Sequence, residues 1–116
     1  MATNRVSPRM QREWNDLLTV LEALKGGQIG ITAGCRRVTA LGHALGEGHS
    51  DLFLPFVGVD SETDRFPMGD VRELWSADAL WRVDKERAEI EAHYSPFVMR
   101  AIDELLKYLA ERLPRH

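Results

Sequence analysis

Along this chain apolar residues recur at helical spacing far more often than they alternate. In "SPRMQREWNDLLTVLEALKGG", Met10, Trp14, Leu17, Leu18, Leu21 and Leu24 fall on one helical face. Ser7 is a capping residue, Pro8 suits the first helical position, and Lys25 followed by two glycines marks the end. A second helix is predicted from about Thr32 to Leu45, with Ile31, Cys35, Val38, Leu41 and Leu45 inward and Arg36 and Arg37 on the wet side. Gly34 and Gly42 would each weaken it by about 1 kcal/mol relative to alanine, but they also leave room for a neighbouring helix to come close.

The middle of the chain is less periodic. "GEGHSD" at 46–51 reads as a loop. "LFLPFVGVD" is apolar throughout, Pro55 and Gly58 argue against a central strand, and no second run of strand-forming residues exists to pair with it. The expectation is an extended acidic crossing segment over about 51–66 that plugs Phe53, Phe56, Val57 and Val59 into a helical core. Asp70 and Glu73 have capping-box spacing, which predicts a short helix there. Ser76 would cap the next helix, running to about Tyr94 with Leu80, Trp81, Val83, Ala88 and Ile90 among its apolar positions. Ser95 and Pro96 would then open a final helix with Val98, Ile102, Leu105 and Leu109 along its seam. The alternative is one long helix that Pro96 only kinks. Together these elements predict an all-α protein, a compact four- to five-helix bundle forming a single domain over 1–116.

Composition narrows the class without naming an activity. With 116 residues, 44% of them hydrophobic, the chain can bury a core without covalent staples. Its one cysteine, Cys35, cannot form an internal disulfide, and the first residues carry no apolar stretch of signal-peptide length. No run approaches the roughly 18 apolar residues of a membrane span. These features predict a cytoplasmic protein with no membrane role. The net charge of −3 is unevenly spread: residues 47–73 hold seven acidic and two basic side chains, whereas residues 1–46 hold three acidic and six basic. A negative field in the middle third repels nucleic acid and attracts a basic partner or a cation. No basic stripe with interleaved aromatics speaks for nucleic-acid binding.

Candidate chemistry follows from that acidic third. Asp60, Glu62 and Asp64 alternate like the first ligands of a calcium loop, but Arg65 stands where that loop needs glycine and Val71 where it needs glutamate. His43 and Glu47 lie four apart, as metal ligands on a helix do. A metal-binding protein or metal-dependent enzyme would draw on His43, Glu47, His49 and the 60–64 carboxylates. Gly46 and Gly48 interrupt the helix on which that pair depends. Cys35 sits on an apolar stripe with no histidine near it in sequence, and "GGQIGITAG" lacks the strand and lysine of a phosphate cradle. No catalytic set and no cofactor are expected. Asp60, Ser61 and Thr63 are also turn and cap formers, so an ordinary structural corner is one account of the segment. The other is a docking face made of Asp60, Glu62, Asp64, Phe66, Asp70, Glu73 and Trp75, with Phe66 or Trp75 lining an exposed anchor pocket beside the carboxylates. Core packing is the first reading of each tryptophan, Trp14, Trp75 and Trp81, with the docking anchor as the alternative for Trp75. The oligomeric state is not legible.

The segment "GVDSETDRFPMGDVRELWSADALWRVDKERAEIEAHY", with the helix before it, resembles a family of small uncharacterised bacterial proteins. The shared pattern is close to Ile-Asp-Ser-Glu-Thr-Asp, then Pro-x-Gly, then Arg and Trp. It falls here on Val59 to Asp64, Pro67, Gly69, Arg72, Trp75 and Asp84. The resemblance spans about the last two-thirds of the chain and implies no particular chemistry. In size, charge and compartment the chain is also similar to bacterial immunity proteins, which implies a basic protein partner such as a toxin.

Overall fold

The computed structural model describes residues 7–48 and 50–112. Among them are four α-helices, α1 (Pro8–Lys25), α2 (Ile31–Ala44), α3 (Leu54–Thr63) and α4 (Ala77–Arg112), with 3-10 turns at Asp51–Phe53 and Gly69–Leu74. The all-α bundle predicted from periodicity is what forms, and no strand is present among the described residues.

α1 begins as its sequence dictates: the Ser7 hydroxyl accepts from the Met10 N–H at 3.1 Å, with Pro8 next in line. Trp14, Leu17, Leu21 and Leu24 face inward, and Gly27 leaves the helix at φ +73°, a conformation that suits glycine. α2 packs closely through its two glycines, Gly34 against α1 and Gly42 against the Asp51–Phe53 turn. A Cβ at position 34 would overlap the Leu24 side chain, and one at position 42 would lie 2.8 Å from Phe53 Cδ2. The cost of glycine in α2 is therefore offset by close packing at both ends.

The predicted extended segment at 51–66 is corrected. Ser50 accepts from the Leu52 N–H to start a 3-10 turn, which runs directly into α3. Pro55 is harmless because it falls in the first turn, where no intrahelical donor is needed. Phe53, Phe56, Val59 and Thr63 are all buried, at steps of three and four residues. The continuous apolar run had concealed that period. Gly58, read as arguing against a central strand, lies on the face turned to Tyr94, where a Cβ would come within 3.0 Å of the ring.

The short helix predicted at Asp70 forms as a six-residue 3-10 helix, Gly69–Leu74, but it has no side-chain cap, so the Asp70–Glu73 capping box is not made. Ser76 does cap α4, accepting from the Ala79 N–H at 3.1 Å. Of the two alternatives at Pro96, the uninterrupted one holds: α4 is a single helix of 36 residues. Pro96 removes one donor, and the carbonyl it abandons belongs to exposed Ala92, where water can replace the bond.

One cluster of buried side chains joins α1, α2, α3 and the C-terminal part of α4. α4 contributes Val98, Ala101, Ile102, Leu105 and Leu109 to it, and no buried residue before Val98. A 36-residue helix is about 54 Å long, twice the depth of the bundle, and the molecule accordingly measures 60 × 27 × 26 Å. The N-terminal half of α4 projects from the bundle as an arm, with residues 64–76 running back along it as a strap.

Candidate functional site

The strap is held by arginines, and which carboxylates they take decides what the acidic segment presents to solvent. Arg72 donates through both terminal nitrogens to Asp84, at 2.8 and 2.7 Å. Arg87 joins the same carboxylate at 3.4 Å, and its Nε lies 3.8 Å from Glu91. Glu91 in turn caps α2, its Oε2 accepting from the Thr32 N–H at 3.1 Å and from the Thr32 hydroxyl at 2.6 Å. A continuous polar chain thus ties strap, arm and bundle together. The Asp84 carboxyl is held below the usual aspartate range, first by the hydrogen bond from Arg72 and then by the charges of Arg72 and Arg87.

Arg36 does the corresponding work inside the bundle. Expected on the wet side, it is half-buried instead, because it closes the C-terminus of α3: Nη2 donates to the carbonyls of Thr63 and Phe66. Its Nε stands 3.8 Å from Asp60. Asp60 is thereby turned toward α2, in a long ion pair without a hydrogen bond.

Helix geometry separates the three alternating carboxylates. Two residues along a helix turn the chain by about 200°, so Glu62 leaves α3 on the side opposite Asp60 and meets α4. There the Tyr94 hydroxyl donates to Glu62 Oε2, which raises the Tyr94 pKa. Glu62 and Tyr94, with Glu86, Glu89, Ile90 and His93 of α4, line a cleft of about 260 Å³. The His93 ring meets Tyr94 edge-on at 5.2 Å. Three carboxylates over an aliphatic and aromatic floor make a setting for a cationic side chain, whose alkyl stem would lie on Ile90 and Tyr94.

The remaining predicted docking residues divide. Asp64, Asp70, Glu73 and Trp75 are exposed. Phe66 is not: it is 3% exposed, and the Arg65 guanidinium covers its ring at 4.4 Å from the centroid. The expectation that Phe66 lines an exposed anchor is corrected, since its side chain is a wedge under the strap. Arg65 also pairs with Glu86 at 2.8 Å across the cleft rim. Trp14 is core as predicted, whereas Trp81 is 67% exposed, with only the Lys85 ammonium 5.4 Å above it.

For the metal alternative, His43 is exposed at the end of α2 with its ring packed on Gly48, and His49 lies outside the described residues. Among the described residues no three His, Cys, Asp or Glu side chains converge as metal ligands would. Cys35 is fully buried, and burial, aided by the charges of Asp60 and Glu91, pushes its thiol up to about 12. It is protonated and shielded at neutral pH. No described helix is long and apolar enough to cross a membrane.

Sequence reasoning missed Glu86, Glu89, His93 and Tyr94. They belong to a third of the chain whose charges nearly balance, so nothing in the net charge pointed there. The only signal was helical register: Glu86, Glu89 or Ile90, and His93 follow one another at three- and four-residue steps. Comparison with family models, curated proteins and solved structures gives no match.

Proposed function

We propose that this chain is a small cytosolic bacterial binding protein of the immunity type, whose acidic face engages a basic protein partner. In this reading it acts by occupying that partner and not by catalysis. One observation carries it: Glu62, Asp64, Asp70, Glu73 and Glu89 form no ion pair among the described residues, although arginines stand close by on the same strap and arm. Those arginines are committed elsewhere, Arg65 to Glu86 and Arg72 and Arg87 to Asp84. Uncompensated carboxylates repel one another and raise the cost of the folded state, and a cationic partner would relieve that repulsion. Exposed Trp75, directly after the acidic strap, supplies apolar area beside the charge.

The test is affinity capture from native bacterial lysate at low and high salt. The wild-type chain should retain a basic protein at low salt and release it at high salt. An Asp64→Lys/Asp70→Lys/Glu73→Lys variant, altered only at exposed positions, should fail to retain it while keeping its helical spectrum and melting temperature. Equal retention by the variant would contradict the proposal.

A further inference from the structure

The outer face of the α4 arm is left over when the acidic face is accounted for. Leu80, Val83, Arg87 and Tyr94 lie on the side turned to the strap and bundle and are half-buried. On the opposite side Trp81, Lys85, Ala88 and Ala92 are all exposed, at steps of four, three and four. That is the spacing of a helix–helix seam. Arg82 and Glu89 flank the seam on the same edge, both exposed, and neither forms an ion pair among the described residues.

We propose that this face pairs with the same face of a second copy of the chain, the two α4 arms running antiparallel. Trp81 of each copy then lies over Ala92 of the other, and Lys85 over Ala88. A large ring faces a small side chain twice, so both are filled without overlap. On the flanking edge Arg82 of each copy meets Glu89 of the other, again twice. A two-fold interface must be complementary to itself, and this charge order is: basic positions first, an acidic one after them, reversed in the opposing arm. The parallel arrangement is disfavoured by the same residues, since it would set Lys85 against Lys85 and Trp81 against Trp81. A second copy is preferred to an unrelated partner because the large and small positions, Trp81 and Ala92, and the basic and acidic positions, Arg82 and Glu89, match one another within the face itself. The inference is independent of the basic partner proposed above, although Glu89 borders both surfaces.

Sedimentation equilibrium over micromolar to millimolar concentration tests it. The wild-type chain should dimerise within that range, and Trp81→Ala should abolish the dimer with no change in helical spectrum. Arg82→Glu sets two like-charged pairs in the interface, and so does Glu89→Arg, so each should weaken the homodimer by about tenfold or more. Mixing these two variants restores both opposite-charge pairs at once, and the mixture should form a heterodimer as tight as the wild-type dimer. A wild-type chain that stays monomeric at millimolar concentration overturns the proposal. So does a dimer indifferent to both charge reversals, or a mixture that fails to recover.

Discussion

From Val98 to Leu109, α4 buries five side chains against the bundle; from Ala77 to Phe97 it buries none. Both stretches are regular helix, and both carry apolar residues at helical spacing. The difference lies in what faces them. The C-terminal half is the fourth wall of a core made with Leu17, Leu21, Phe56 and Val59, and removing it would expose that core. The N-terminal half rests on the strap through arginines, and its outer side faces only solvent among the described residues. Polar fastening of this kind contributes less per contact than apolar burial, because ions already well hydrated gain little from pairing. One helix therefore combines a structural half with a half whose groups remain available for recognition.

The largest expected effect lies at the structural end. Phe56 is fully buried, and Phe56→Ala should cost about 3–5 kcal/mol by leaving a cavity between α3 and its neighbours, read from urea denaturation. Next comes Gly34→Ala. Its new methyl would overlap Leu24, so the substitution should destabilise by about 1–3 kcal/mol despite alanine's better helix propensity. A neutral or stabilising result would mean that α1 and α2 are not packed this closely.

The strap gives a smaller effect with a defined pH dependence. Asp84 has a folded-state pKa below its unfolded value, through Arg72 first. Its contribution is therefore complete above the ordinary aspartate value of about 3.9 and disappears as pH falls through the lowered folded value. Asp84→Asn should be less stable than the wild type at neutral pH, and the gap should close as pH falls through the lowered folded value and the carboxyl protonates. A gap that does not change with pH would show that the Arg72–Asp84 pair does not hold the strap. Smallest of all, Leu74→Ser should shift stability by less than about 0.5 kcal/mol, because Leu74 is 85% exposed. A large loss there would erase the distinction between the two ends.

How much of this was legible depends on where the period was visible. α1, α2 and the buried seam of α4 could be read directly, since polar residues separate their apolar ones. α3 could not, because Leu52 to Val59 is apolar on every side and offers no contrast between faces; the helix follows from tertiary packing of Phe53, Phe56 and Val59. The acidic residues are plain in the sequence, but their arrangement depends on helical rotation, which sends Asp60 to Arg36 and Glu62 to Tyr94. Phe66 and Trp81 exchanged their expected places for a related reason. The turn after α3 folds Phe66 under the strap, and Trp81 belongs to the part of α4 that extends past the bundle. Neither fact is contained in a local pattern. Arginine assignments were equally hidden, since Arg72 and Asp84 are brought together only by the strap.

Native-state hydrogen exchange on the dilute chain tests the division of α4 most directly. The account predicts that amides of 100–109 exchange only through global unfolding, while those of 81–92 exchange many times faster through local opening. Equal protection along the whole helix would contradict it, since the arm would then be as firmly built into the fold as the core.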